Sequence, residues 1–343
     1  MRNYIICLCY TLCVFGCNSG NKAKEMYFTD NIEVLDSSTI LHEKIEGKPL
    51  KCVGIKGVSG IVITNEHICI STQMDNPSLY VYNLFGGLIC SFDRNDCGLM
   101  DFGYIHLTGQ WGIEDGQVYI WANDVNVSEL KRINISKSIK QNTCVIDKRV
   151  ATQPYSMNAF ALSDSSSLSE TLIEDNYVIN HEYTSGKTSL DEKLYAIDIP
   201  QPFSYYKSEM CINEDENTIC FAMRSINQVN FYNYLNKHKK SISIGNVKHK
   251  KDIVSNTETG LENWVYYTRI YSTAKFVYCL YLNQSYEDAF SKPKKTEIHI
   301  FNYEGEYVRS LLFDRYIYIF GVTNDDTTLY GLYSSELFEY DIK

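Results

Sequence analysis

The 343-residue chain contains no Cys-x-x-Cys pair, no Gly-x-Ser-x-Gly elbow and no His-Glu-x-x-His run. The first absence argues against a structural zinc site, because paired thiolates at close spacing are what such sites are built from. The second argues against the strand-to-helix nucleophile of an α/β-hydrolase, since Gly57-Val-Ser59-Gly60 is the nearest string and lacks the spacing. The third removes the helical zinc hydrolases, and all seven histidines stand singly along the chain. Asn213 to Asn217 lacks the alternating acids and glycine of a calcium loop, and no sialidase-type Asp box occurs. No metal and no cofactor is therefore expected. Basic charge is also in deficit, 32 Lys and Arg against 42 Asp and Glu for a net charge of −10. Nucleic acid, which needs a concentrated basic face, is not an expected partner. The basic cluster Lys237-His238-Lys239-Lys240 reads as a turn and an edge strand, where lysines guard against edge-to-edge pairing.

Proline is scarce, at 6 residues, whereas 28 tyrosines and many Val, Ile and Thr residues favour numerous short strands. Three segments superimpose as one repeat. Tyr82-Asn83, Tyr232-Asn233 and Phe301-Asn302 each close a strand. Gly86, Asn236 and Gly305 then supply a turn, and Ser91-Phe92, Ser241-Ile242 and Ser310-Leu311 end the returning strand. The step from Asn83 to Asn302 holds five periods of about 44 residues, the spacing of four-stranded propeller blades. The fold expected is all-β, a six-bladed β-propeller over residues 31–343. Its blades fall near 56–93, 102–148, 155–200, 205–245, 262–312 and 315–343. The last blade reads one strand short, so a strand within 31–55 is expected to close the ring.

These repeats, together with the hairpin Cys211 to Cys220 and the closing runs Leu312 to Gly321 and Leu329 to Tyr333, resemble the TolB-like six-bladed propeller lipoproteins of Bacteroides-type bacteria. The likeness extends over roughly residues 50–343. Members of that family commonly carry a Gly/Arg-rich loop after the first blade. Arg94, Gly98 and Phe102 fit it here, with Asp101 in the place of its acid, while its other glycines and its proline are missing.

The N-terminus carries its own message. Arg2, a short apolar run and the tetrapeptide Val14-Phe15-Gly16-Cys17 resemble a lipoprotein export signal, and the run falls short of the ~20 residues that span a bilayer. Residues 1–16 are expected to be removed, Cys17 to be lipidated as a membrane anchor, and 17–30 to serve as a tether. The expected place is the cell envelope, the periplasmic side over the cell surface. In an exported compartment, Cys211 and Cys220 face each other across one hairpin and are either a disulfide or two buried thiols.

Ligand-facing candidates follow from topology, because the first strand of each propeller blade lines the central channel. Arg94 in the loop between blades, His106 and Asn158 on inner strands, Trp111 near a strand end and Arg269 on the fifth inner strand are the residues selected. No catalytic residue is assigned. The expected function is a non-enzymatic binding or scaffold module for an envelope peptide, glycan or protein. The alternative is an envelope hydrolase or lyase with its site assembled in the channel.

Overall fold

The computed structural model describes residue 28 and residues 32–51, 54–74, 76–93, 105–154, 156, 158–173, 176–183, 188–193, 207–245 and 264–343. Cys17 and Arg94 lie outside them. Six antiparallel sheets follow one another along the chain, each running from an inner to an outer strand. The first blade holds β4 (Val58–Ile63), β5 (His67–Thr72), β6 (Leu79–Asn83) and β7 (Leu88–Phe92). The second holds β8 (His106–Glu114), β9 (Gln117–Asp124), β10 (Glu129–Asn134) and β11 (Ile146–Ala151). The third holds β12 (Ala159–Ser163), β13 (Ser166–Ile173), β14 (Asn176–Tyr183) and β15 (Thr188–Lys193). The fourth begins at β16 (Ser208–Asn213) and continues through β17 (Thr218–Met223), β18 (Val229–Asn233) and β19 (Lys239–Ile244). The fifth begins at β20 (Trp264–Ser272), with β21 (Val277–Ser285), β22 (Glu297–Phe301) and β23 (Tyr307–Phe313) outside it. The sixth holds β24 (Ile319–Val322), β25 (Thr328–Tyr333) and β26 (Glu336–Asp341). The second blade ends later than its sequence spacing suggested, because a short helix, Ile135–Gln141, is inserted before its outer strand.

The recurring Asn has a local cause. Asn83 Oδ1 accepts the N–H groups of Phe85 and Gly87, and Asn302 Oδ1 accepts that of Glu306. Asn233 Oδ1 does the same for Leu235 and Asn236. Each side chain thereby satisfies turn donors that no strand can reach. Gly86 and Gly305 hold the positive φ expected of them, but in the fourth blade that conformation belongs to Lys237 rather than Asn236.

The N-terminal segment closes the ring and does more. Lys48–Pro49 (β3) pairs antiparallel with β26 as the missing strand of the last blade. Upstream of it, β1 (Ile32–Leu35) adds to β19 and β2 (His42–Ile45) adds to β23, both in parallel. The segment is thus a strap across three consecutive outer edges. This corrects the reading of Lys239 and Lys240 as edge guards. Their strand is covered by β1, and Lys240 Nζ meets Glu33 at 3.1 Å.

Apolar side chains collect in six clusters, one between each pair of neighbouring blades. The core is therefore a ring of interfaces. Burial between blades stabilises the fold while leaving the axis free for polar groups.

Candidate functional site

The axis holds a cavity of about 60 Å³, lined by all six inner strands. That is room for a few waters or for one small polar group of a ligand. The lining lies near the upstream ends of most of these strands. Ser59 is the second residue of β4, His106 the first of β8, and Glu209 the second of β16, while Asn158 immediately precedes β12. Arg269 enters from the middle of β20, and Ile61, Phe160, Met210 and Phe320 provide apolar wall.

The polar groups are connected across blades. Arg269 donates from Nη1 to Glu209 Oε2 at 3.3 Å, joining the fifth blade to the fourth. Asn158 donates from Nδ2 to Glu170 Oε2 at 2.9 Å, and its carbonyl accepts the Glu170 N–H. Burial, with a further push from Glu209 and against the Asn158 hydrogen bond, raises the Glu170 carboxyl to about 7. Its other oxygen, Oε1, is buried without a hydrogen-bond partner. Burial lowers the pKa of His106; Glu209 opposes this and Arg269 adds to it, so the imidazole is neutral at pH 7. The set presents a guanidinium, the Glu209 carboxylate, a neutral imidazole and an amide to one small space, with the Glu170 carboxyl behind Asn158. It suits a ligand bearing hydroxyl, amide or carboxyl groups.

Downstream, the channel is bridged by Gln110. Its amide donates to Ala161 O and Glu214 Oε1 and accepts the Ala161 N–H at 2.9 Å, completing the inner strand of the third blade as a short strand would. Gly109, at φ +87°, makes the bulge that extends Gln110 there.

Of the selected residues, His106, Asn158 and Arg269 share the cavity. Trp111 does not. The bulge before it turns its ring into the apolar cluster between the first two blades. Sequence reasoning missed Glu209 and Glu170, although Glu209 occupies a polar inner-strand position like those that were chosen. Cys211 and Cys220 are register partners, and both are buried thiols rather than a disulfide. Cys144 is disulfide-bonded. Among the described residues, no group of three or more His, Cys, Asp or Glu side chains is placed to hold a metal ion. None of their helices is long and apolar enough to cross a membrane.

Fold and cavity together define a six-bladed propeller with a polar site on its axis. No protein-family profile and no curated protein matches the sequence. Solved structures do share the fold. A member of the DUF4221 family from Bacteroides vulgatus is 13% identical, with a TM-score of 0.55 over 94% of this chain and 99% of that one. A Bacteroides fragilis protein designated as exported is 11% identical, with a TM-score of 0.57 over 91% of this chain and 100% of that one.

Proposed function

We propose that the protein is an exported, lipid-anchored envelope propeller that binds a peptide or glycan at its axis without transforming it. The observation that carries this reading is the convergence of Arg269, Glu209, His106 and Asn158, from four different blades, on one small cavity. Groups so far apart in sequence share a space only through the closed ring. The lipid on Cys17 rests on the export signal, and the exported designation of the Bacteroides fragilis neighbour agrees with it. The periplasmic side is the assigned face.

The test is a thermal-stability screen of the protein against envelope-derived glycans and peptides, since a ligand of the folded state alone raises the midpoint. A shift that Arg269→Ala abolishes, with the ligand recovered intact, supports the reading. Shifts unaffected by Arg269→Ala and His106→Ala would remove the cavity from it. Membrane fractionation of Cys17→Ser tests the anchor separately, and retention in the membrane would defeat it.

Hydrolysis or lyase chemistry is the second reading, favoured by one observation. Glu170, raised to about 7 in part by the nearby Glu209 charge, is the kind of carboxyl that acid–base cleavage employs as its acid. Glu170 sits one strand behind the cavity wall, on β13, so its chemistry requires a ligand that reaches past Asn158. Conversion of any hit from the screen, lost in Glu170→Gln, would put this reading first.

A further inference from the structure

Among the described residues, the repeat that defines the blades also marks an outer strand to which no further strand is added. In the fourth blade Asn230 pairs with Ser241, in the fifth His299 pairs with Ser310, and in the first Tyr80 pairs with Ser91. Those serines are equivalent. The strap begins its pairing at that position twice, Ile32 opposite Ser241 and His42 opposite Ser310. Both covered serines are 0% exposed. Ser91, the third equivalent, is exposed, as are Leu88 at 48% and Ile89 at 40% on the same outer strand.

The strap and its seats also share a charge rule. The second strap residue is Glu33 in one case and Glu43 in the other. Each pairs with the cation just before the repeat serine, Glu33 with Lys240 at 3.1 Å and Glu43 with Arg309 at 3.0 Å. In the first blade that place is taken by the half-buried, uncharged Cys90. The outer strand of the second blade is protected differently, by Asp147, Lys148 and Arg149. Among the described residues, the Leu88 to Phe92 strand ends its sheet with an uncharged sequence and exposed Leu88, Ile89 and Ser91.

We propose that β7 is a docking edge for an extended peptide segment of a partner protein, added parallel to β7 as β1 and β2 are added to β19 and β23. The occupant carries an apolar residue, not glutamate, opposite the Cys90 side. Strand addition would supply backbone hydrogen bonds, and Leu88, Ile89 and the exposed Phe85 would supply apolar contact. The absence of a cation at position 90 would discriminate against acidic strap-like segments, this chain's own included.

The experiment uses two soluble synthetic peptides as probes. One carries Ile-Glu-Val-Leu, the sequence of residues 32–35, and the other has Val in place of Glu, both with the same polar flanks. Hydrogen exchange at the amides of residues 88–92 reports binding at this edge apart from any exchange of the strap itself. The Val peptide is expected to protect these amides, with the Glu peptide about fivefold weaker, because its carboxylate is partly desolvated beside Cys90 with no cation to meet it. Cys90→Arg, which restores the cation of the other two seats, is expected to invert that order, and Ile89→Pro to abolish protection by either peptide. Two results would overturn the proposal: no protection of 88–92 by either peptide, or the same preference in wild type and Cys90→Arg. A dimer in sedimentation whose β7 amides are protected before peptide is added would also overturn it, assigning the edge to a second copy of the chain.

Discussion

The hydroxyl of Tyr271 accepts the backbone N–H of Ile63 at 3.0 Å, linking the inner strand of the fifth blade to that of the first across the sixth. The passage exists because residue 321 is glycine. A Cβ there would stand 2.7 Å from Ile63 Cγ1 and 3.3 Å from Tyr271 Cε2. Gly321→Ala is expected to cost about 1–3 kcal/mol through overpacking. Tyr271→Phe is expected to cost a similar ~1–3 kcal/mol, because the buried Ile63 N–H loses its acceptor. Urea denaturation checks both, and an unchanged midpoint in either variant would refute the latch.

Glu170 gives the protein a pH dependence of known sign. Its carboxyl is raised to about 7 in the folded state, from an ordinary 4.5, so the folded chain binds the proton more tightly than the unfolded one. Stability from this group is full below the unfolded value and is lost as pH rises toward 7, by about 3 kcal/mol at ~1.4 kcal/mol per unit. Glu170→Gln should therefore gain on wild type between pH 5 and pH 7.5. Denaturation midpoints at those two pH values measure the difference, and parallel behaviour of the two proteins would show that Glu170 is not titrating there.

Arg269 and Trp111 are expected to separate binding from folding. Arg269 is a third exposed and holds one 3.3 Å contact to Glu209, so Arg269→Ala should change stability by less than ~1 kcal/mol while removing ligand response. Trp111 packs in the cluster between the first two blades, and Trp111→Ala should cost about 3 kcal/mol and leave ligand response intact. Paired melting curves with and without a screening hit decide this. A Trp111→Ala protein that is stable but unresponsive would return that ring to the site.

What could be read from the chain, and what could not, divides along the distance over which the signal acts. Asn83, Asn233 and Asn302 mark the blades because each satisfies its own turn, a local requirement visible in a few residues. His106, Asn158 and Arg269 were reachable because inner strands face the axis by topology. Glu209 and Glu170 were not singled out, since their roles depend on partners in or beside other strands, Arg269 being 60 residues from Glu209. Trp111 was misplaced by the bulge at Gly109, which shifts the register of β8 and which alternation alone does not reveal. The strap on β19 and β23 carries no signal of its own, because its short mixed segments become strands only against edges already built.

Lys131 and Asp124 offer a test of how much polarity the blades tolerate. Their side chains meet at 2.6 Å on adjacent strands of the second blade, with side-chain exposures of 2% and 0%. Asp124 Oδ1 is buried without a hydrogen bond, so the pair is not fully compensated. Removing one partner leaves a buried charge, and Asp124→Leu alone is expected to destabilise by about 3–5 kcal/mol. Replacing both, Asp124→Leu with Lys131→Met, removes the desolvation cost together with the attraction and should restore most of that loss. A double-mutant cycle in guanidinium chloride measures the coupling. If the double variant is as unstable as the sum of the singles, the pair contributes through its separate packing, and the two charges are not held there for each other.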